Sequence, residues 1–195
     1  MRSFACLLLL LAVSLGVTAD SNPQGADSGD VRVVLETDQG PVVMQLFNSK
    51  APKTTQQFLN HVDSGFYDGT IFHRVIPGFI IQGGGFTPEL VEKAVSVSIP
   101  NESRNRLPNR KWSVAMARLN DPDSAGSQFF INLANNSELN FSYSKPGYTV
   151  FADIIAGQDI LEAATKTPRA TRGHLDDVPE TPLLIIKAYR QEPGL

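Results

Sequence analysis

The feature that most constrains the fold of this chain is a succession of short apolar segments separated by turn-forming residues. The first, beginning at Val31, alternates with a period of two, and Val33, Leu35 and Thr37 fall on one face, as in a half-buried strand. The other strand-like segments are 42–47, 112–117, 127–133, 147–154 and 181–190, together with a hairpin that begins at Ile71. Many short strands with glycine- or proline-marked turns predict a mainly β protein.

Only two segments show helical periodicity. In the first, Pro52 suits an opening helical turn, and Gly65 can end the helix in the left-handed conformation. Between them, one helical face carries Thr55, Phe58, Leu59 and Val62. The second segment, Gly157–Lys166, is short and amphipathic. Two helices among so many strands predict a closed or nearly closed antiparallel β-barrel.

The amino-terminal residues have the pattern of a secretory signal peptide. Arg2 precedes a leucine-rich run, and small residues end at Ala19, so cleavage is predicted after residue 19. The alternative, a membrane-spanning anchor, is disfavoured because the apolar run is shorter than the ~20 residues that cross a bilayer. The predicted organisation is therefore a signal peptide (1–19), a flexible polar lead-in (20–29) and one domain (30–192), with no stable membrane insertion after cleavage.

Composition indicates the cellular compartment of the protein and excludes some classes of partner. The chain has a single cysteine, Cys6, which lies inside the predicted signal peptide. An exported chain without disulfides depends on its apolar core, which favours the periplasm over a disulfide-dense extracellular module. The net charge of −3 disfavours a nucleic-acid partner. The three histidines, His61, His73 and His174, lack metal-ligand spacing, so neither a metal nor a cofactor is predicted.

Polar groups stand inside the most apolar hairpin of the chain, FHRVIPGFIIQGG. If the corner is centred on Gly78, Arg74 pairs with Gln82. The same face is then expected to carry Phe72, Ile76 and Ile80. An arginine held by a glutamine amide points its remaining donors outward. The pattern alone leaves open the alternative that this arginine caps stray carbonyl groups at a barrel rim.

Three motifs in this order resemble those of the cyclophilins, the peptidyl-prolyl cis-trans isomerases. They are FHRVIPGFIIQGG (Phe72–Gly84), AMAR (Ala115–Arg118) and GSQFFIN (Gly126–Asn132), and the likeness extends from about Val31 to Tyr189. The resemblance implies an eight-stranded antiparallel β-barrel closed by two α-helices. It also implies catalysis of rotation about the peptide bond before proline, in proline-containing polypeptides.

The resemblance also assigns roles to individual residues. It makes Arg74 the catalytic arginine and Gln82 its supporting glutamine. The residues that it implies for substrate binding are Phe79, Met116, Ala117, Gln128, Phe130, Leu139 and Tyr148. Strand alternation puts Phe129 and Phe130 on opposite faces. With Phe130 assigned to the pocket by the resemblance, Phe129 is expected to face the core.

Three positions depart from the family pattern. Glu138 stands where many members carry a tryptophan that contributes to cyclosporin binding, so weak binding of that drug is expected. Tyr148 replaces a pocket histidine and keeps an apolar body with a polar tip. Arg118 replaces a common asparagine beside the pocket, which changes the contacts expected with a peptide backbone.

Two functional hypotheses follow. The first is a monomeric, exported prolyl isomerase that assists the folding of other exported proteins. The second is a proline-binding chaperone module with little catalysis. The presence of both Arg74 and Gln82 favours the enzyme, because a mere binder does not need them. A small-molecule carrier is disfavoured, because large inward residues leave little room inside the barrel.

Overall fold

The protein is described here by a computed structural model over residues 31–191. The predicted signal peptide and lead-in lie outside the described residues. The strands are β1 (Arg32–Thr37), β2 (Gly40–Leu46), β3 (Thr70–Ile71), β4 (Arg74–Ile76), β5 (Ile80–Gly83), β6 (Ser113–Met116), β7 (Phe129–Asn132), β8 (Val150–Ala156), β9 (Arg169–Arg172), β10 (Leu175–Pro179) and β11 (Leu184–Arg190). The helices are α1 (Pro52–Asp63) and α2 (Gln158–Ala164), with short 3₁₀ turns at Ser103–Asn105 and Ser137–Leu139. Within residues 31–191, neither helix is long and apolar enough to cross a membrane.

Nine strands form one antiparallel sheet that curls round on itself. Their order is β3-β11-β1-β2-β8-β6-β7-β5-β4. The two end strands, β3 and β4, are separated in the chain only by Phe72 and His73, so the sheet wraps back almost to its start. Counted as one interrupted strand, they give the eight strands of the predicted barrel. The mainly β, two-helix architecture is confirmed, but "closed" was too strong, because no ladder between β3 and β4 occurs among the described strands.

The interior of the curled sheet holds the main core, which α1 covers at one end. The helix face predicted from the sequence is buried as expected. On this face, the ring of Phe58 packs against the rings of Tyr67, Phe129 and Phe151. The distances from the Phe58 ring centroid to theirs are 5.1, 5.7 and 5.1 Å. Gly65 follows the helix with φ +68°, the left-handed conformation predicted there. Aromatic packing of this kind fixes the barrel wall on which the site residues stand.

A second, two-stranded sheet is formed by β9 and β10, and the sequence analysis did not predict it. Its segment, Arg169 to Pro179, is polar and mostly exposed, so it lacks the apolar alternation that marks a strand. The hairpin lies against β4, the strand that carries Arg74. It therefore adds a neighbour to the predicted site that sequence patterns do not reveal.

Candidate active site

The β4–β5 hairpin places the predicted arginine and glutamine side by side. Arg74 pairs with Gln82, and Ile76 with Ile80, as the symmetry about Gly78 predicted. The corner is a β-turn in which the Phe79 amide donates to the Ile76 carbonyl at 3.0 Å. Gly78 has φ +70°, which glycine adopts at little cost in the third position of a type II turn after proline. The local sequence thus fixes the register of the two polar side chains.

The pairing continues across the sheet and builds one row of side chains. Gln82 of β5 is opposite Phe130 of β7, and Phe130 is opposite Ala115 of β6. Directly opposed residues of an antiparallel sheet project from the same face. The row therefore runs from Arg74 through Gln82 to Phe130, on the face turned away from the main core. Two strand spacings separate the arginine from the phenylalanine, about 10 Å.

Around Phe130 lies a separate apolar cluster on the outer face, here called the cup. Its buried members are Ile80, Ala115, Phe130 and Val150. Its partly exposed members are Phe47, Ile76, Phe79, Leu107, Ala117, Leu139 and Tyr148. The structure thus brings together five of the predicted substrate-binding residues, namely Phe79, Ala117, Phe130, Leu139 and Tyr148.

Two predicted placements are wrong, and strand alternation explains one of them. Phe129 is fully buried in the main core and Phe130 is in the cup, as predicted. Met116 pairs with Phe129, and its side chain therefore faces the main core and not the cup. The neighbouring Ala115 projects outward in its place. The residue that fills the cup is Ile80, which was not among the predicted substrate-binding residues.

The second wrong placement is Phe72. It was expected beside Arg74, but the strand is interrupted between Ile71 and Arg74, so alternation does not carry across the break. Its ring is instead fully buried in the main core, 5.9 Å from the ring of Phe129. Alternation predicts side-chain direction only where the strand is continuous.

Gln82 is held by a chain of amide and carboxylate groups. Its Nε2 donates to Oε1 of Gln128 at 2.9 Å, and Nε2 of Gln128 donates to Oε1 of Glu92 at 3.2 Å. Among the side-chain hydrogen bonds of residues 31–191, none joins Gln82 to Arg74. The predicted glutamine therefore flanks the arginine without holding it in this arrangement. Glu92 is an addition that the sequence patterns did not signal.

The guanidinium of Arg74 instead faces a carboxylate of the β9–β10 hairpin. Its Nε lies 3.6 Å from Oδ2 of Asp177, and the two side chains are 41% and 40% exposed. The arginine therefore points outward to solvent and not into the barrel. Asp177 is a second residue that the sequence analysis missed. Its only local signal is Gly173, which follows β9 with φ +60°.

Tyr148 and Arg118, two departures from the family pattern, contact each other. The Tyr148 ring packs edge-on against Phe130, with centroids 5.4 Å apart. The Arg118 guanidinium lies over the Tyr148 ring at 4.6 Å, and its Nη2 donates to the Pro146 carbonyl at 3.2 Å. A cation over a tyrosine ring is a favourable arrangement. It fixes the wall of the cup on the side away from Arg74.

Beside the cup lies an open groove of about 540 Å³. Gln82, Ala117 and Gln128 line it on the side of the cup. The rest of its wall is formed by residues 92–98, Arg118, Leu119, Ser124, Gly126 and Ser127. Ala117 thus belongs to both the cup and the groove. The apolar cluster and the groove therefore adjoin at this residue.

The run Gly83-Gly84-Gly85, which follows Gln82, is required for close packing. A Cβ on Gly83 would lie 2.8 Å from Cδ1 of Phe72, and one on Gly84 would lie 2.8 Å from Cε1 of Phe129. A Cβ on Gly85 would overlap the Gln128 side chain. The glycines therefore allow the backbone after Gln82 to pack closely against Phe72, Phe129 and Gln128.

His73, next to Arg74, is buried and electrically neutral at ordinary pH. It is only 3% exposed and packs its ring 4.5 Å from that of Phe86. Burial lowers its pKa to about 4, against a smaller opposing effect of a hydrogen bond to the Ile71 backbone. The nearby positive charge of Arg74 acts in the same direction as burial. Arg74 is thus the cation that this short segment presents at the surface.

The part of the chain that the structure describes contains no candidate metal-binding site. No group of three or more His, Cys, Asp or Glu residues is arranged to hold an ion there. The site combines the guanidinium groups of Arg74 and Arg118 with the amides of Gln82 and Gln128 and the apolar cup. Such an arrangement can bind an extended peptide and direct a hydrogen-bond donor at it.

Comparison with known proteins identifies the class. Residues 32–190 match the sequence model of the family described as "Cyclophilin type peptidyl-prolyl cis-trans isomerase/CLD". A peptidyl-prolyl cis-trans isomerase of Streptomyces antibioticus is 49% identical over 161 residues, covering 80% of this chain and 96% of that protein. One from Acinetobacter baylyi is 46% identical over 154 residues, covering 79% and 82%.

A solved structure supports the fold assignment. The cyclophilin type isomerase of Cryptosporidium parvum, crystallised in the presence of the dipeptide Ala-Pro, superposes with a TM-score of 0.71 at 29% identity. The match covers 83% of this chain and 99% of that one. This chain belongs to the cyclophilin family. It is accordingly an enzyme of the peptidyl-prolyl cis-trans isomerase class.

Proposed function

We propose that this protein accelerates rotation about the peptide bond before proline by directing the Arg74 guanidinium at the prolyl nitrogen while the cup holds the proline ring. The proposal is supported by the row Arg74–Gln82–Phe130, because it joins an outward-facing cation to an apolar cluster across adjacent strands.

The barrier to be lowered comes from amide resonance. It is ~18–20 kcal/mol, and spontaneous exchange takes tens to hundreds of seconds. In the twisted transition state the prolyl nitrogen becomes pyramidal and regains a lone pair. A donor aimed at that nitrogen stabilises the twisted form more than either planar form, which is the condition for catalysis. Arg74 is permanently charged and has five N–H donors, so it can supply this bond at any physiological pH.

The cup holds the proline ring still while the residue before it rotates about the peptide bond. Phe130 is 3% exposed and forms the floor, while Phe79, Leu139 and Tyr148 are half-buried around it. A proline ring buried against these side chains is held by apolar contact, and the residue before it is free to turn. The apolar surroundings also strengthen the bond from the guanidinium, since electrostatic interactions grow as water is excluded.

The groove is suited to the residues that precede proline. Gln82 and Gln128 present amide groups along it, and the small side chain of Ala117, whose N–H donates to the Gln128 carbonyl, leaves room beside them for an extended peptide. A relative that was crystallised with Ala-Pro supports a small apolar residue before proline as a first substrate to test. We take Gln82 as the residue that orients the peptide and screens the arginine from the groove.

The substrates that we propose are unfolded, proline-containing proteins in the periplasm, whose folding the enzyme assists. Support comes from the signal-peptide pattern at residues 1–19 and from the lack of any cysteine after Cys6. A single chain supplies every side chain of the row and the cup, so we propose that it acts as a monomer. Fractionation of expressing cells, with mass determination of the amino terminus, tests export: a mature chain that begins at residue 20 is expected. An uncleaved chain in the cytoplasm would refute it.

The catalytic proposal is tested by the rate of cis-to-trans exchange of an Ala-Pro peptide with purified wild type and Arg74→Ala. Loss of a charge-assisted hydrogen bond made in the transition state predicts a fall in kcat/KM of about ten- to hundredfold. Arg32→Ala is the matched control, because Arg32 is an exposed arginine of β1 whose side chain donates to Oε1 of Gln45, on the neighbouring strand. It should retain the wild-type rate.

The second candidate function, a proline-binding module with little catalysis, makes a different prediction. It requires the cup but not the guanidinium. If wild type and Arg74→Ala bind the peptide equally and isomerise it at equal rates, the binding module is the better description.

A further inference from the structure

We infer that Asp177, on the β9–β10 hairpin, is a positioning residue that holds the Arg74 guanidinium in its catalytic orientation. The inference rests on the proposed function of Arg74 and extends it to an element outside the main sheet. Its starting observation is the ion pair between Nε of Arg74 and Oδ2 of Asp177, at 3.6 Å.

An irregularity in the pairing of β9 with β10 sets the direction of the Asp177 side chain. In the ladder, Leu175 pairs with Arg172 and Val178 with Ala170, so two residues of β10 oppose one residue of β9. This is the pattern of a β-bulge, a feature that re-aims side chains and is common beside active sites. Asp177 is one of the two bulged residues and has φ +58°, a left-handed conformation that aspartate tolerates better than most residues.

The bulge is anchored on both sides. Val178, the next residue, is 2% exposed, and Pro179 is also buried. On the other side, Asp176 accepts a hydrogen bond from Oγ1 of Thr171 at 2.9 Å, which ties β10 to β9. The strand β10 also contacts β4. The carboxylate of Asp177 is therefore presented to Arg74 by a fixed backbone and not by a mobile loop.

The geometry leaves the arginine its useful donors. The carboxylate of Asp177 lies next to the Nε–H of the guanidinium. The N–H groups of the two terminal Nη atoms therefore stay available for a substrate nitrogen. The side chain of an unheld arginine has large rotamer freedom, and ordering it in advance lowers the barrier to reaching the transition state. Gln82 does not hold the guanidinium in the arrangement described, since its Nε2 donates to Gln128 and, among the side-chain hydrogen bonds of residues 31–191, its Oε1 accepts none from Arg74.

The test compares wild type, Asp177→Asn and Asp176→Asn, each alone and combined with Arg74→Ala, on an Ala-Pro peptide. Asparagine keeps the shape and tolerates φ +58°, so Asp177→Asn removes charge without straining the bulge. Asp176→Asn is the matched control, because it removes the same charge one residue away, from a carboxylate that bonds Thr171.

The expected result is a two- to fivefold fall in kcat for Asp177→Asn, roughly the range of a partly exposed ion pair. KM should stay unchanged, 1 M salt should shrink the difference from wild type, and the substitution should have no further effect in the Arg74→Ala background. Asp176→Asn should match wild type throughout.

Two outcomes overturn the inference while the proposed function stands. One is a wild-type kcat for Asp177→Asn although Arg74→Ala is slow. The other is an equal loss with and without Arg74, which would make Asp177 a structural residue only. If Arg74→Ala itself keeps the wild-type rate, the proposed function fails first, and the positioning role falls with it.

Discussion

Acidification should destabilise the folded protein through His73, the buried histidine beside Arg74. Burial lowers its pKa in the folded state to about 4, whereas the ordinary value of 6.5 applies to the unfolded chain. Between these values the unfolded chain binds a proton that the folded protein does not. The free energy of unfolding therefore falls as the pH drops from 6.5 towards 4, and this contribution vanishes above 6.5.

The magnitude follows from the two pKa values. Linkage gives a loss of about 2 kcal/mol at pH 5 and about 3 kcal/mol at pH 4, relative to pH 7.5. That is a large share of the ~5–15 kcal/mol by which a domain is stable. His61, whose pKa burial also lowers, adds a loss of the same sign.

The assay is urea unfolding of wild type and His73→Gln at pH 7.5, 5 and 4. Glutamine does not titrate, so the difference between the two proteins isolates His73 from the carboxylates that titrate over the same range. The wild type should lose about 2 to 3 kcal/mol more than the variant. His174→Gln, at an exposed histidine, is the control and should follow the wild type. Parallel pH profiles for wild type and His73→Gln would refute the reasoning, because they would mean that His73 is not buried as a neutral ring.

Three further predictions concern packing and ligand binding. Gly84→Ala should lower the free energy of unfolding in urea by about 2–4 kcal/mol, because φ is +80° and the new Cβ would lie 2.8 Å from Phe129. Gly78→Ala, with φ +70° but no neighbour within 4 Å, should lower it by only about 1 kcal/mol; equal losses would contradict the packing argument. Phe130→Ala should raise KM for an Ala-Pro peptide at least about tenfold, because it removes the floor of the cup; an unchanged KM would mean that proline binds elsewhere. Glu138→Trp should tighten cyclosporin binding in calorimetric titration from a weak wild-type level, and equal affinity of both proteins would contradict the role given to that exposed position.

The sequence alone predicts the parts of the site that depend on local geometry. The Pro77-Gly78 corner sets the register of Arg74 against Gln82, and continuous alternation separates Phe129 from Phe130. These relations involve neighbours in the chain or one tight turn. They require no knowledge of how distant segments pack.

Sequence patterns give the wrong side-chain placement, or none, where tertiary packing determines the contact. Met116 lies one residue from the cup, and the choice between it and Ala115 depends on which face of β6 meets the core. Asp177 is brought to Arg74 by a polar hairpin over 100 residues further along the chain, with no apolar pattern to mark it. Such long-range contacts leave no periodic signal in a single sequence.

The most direct test of the central claim is the rate of cis–trans exchange of an Ala-Pro peptide while it is bound, measured by magnetisation-exchange NMR alongside its Kd. Arg74→Ala should slow on-enzyme exchange about ten- to hundredfold and change Kd by less than about threefold, because the guanidinium bonds the twisted state and the cup binds the ring. On-enzyme exchange at the wild-type rate in Arg74→Ala would contradict the central claim.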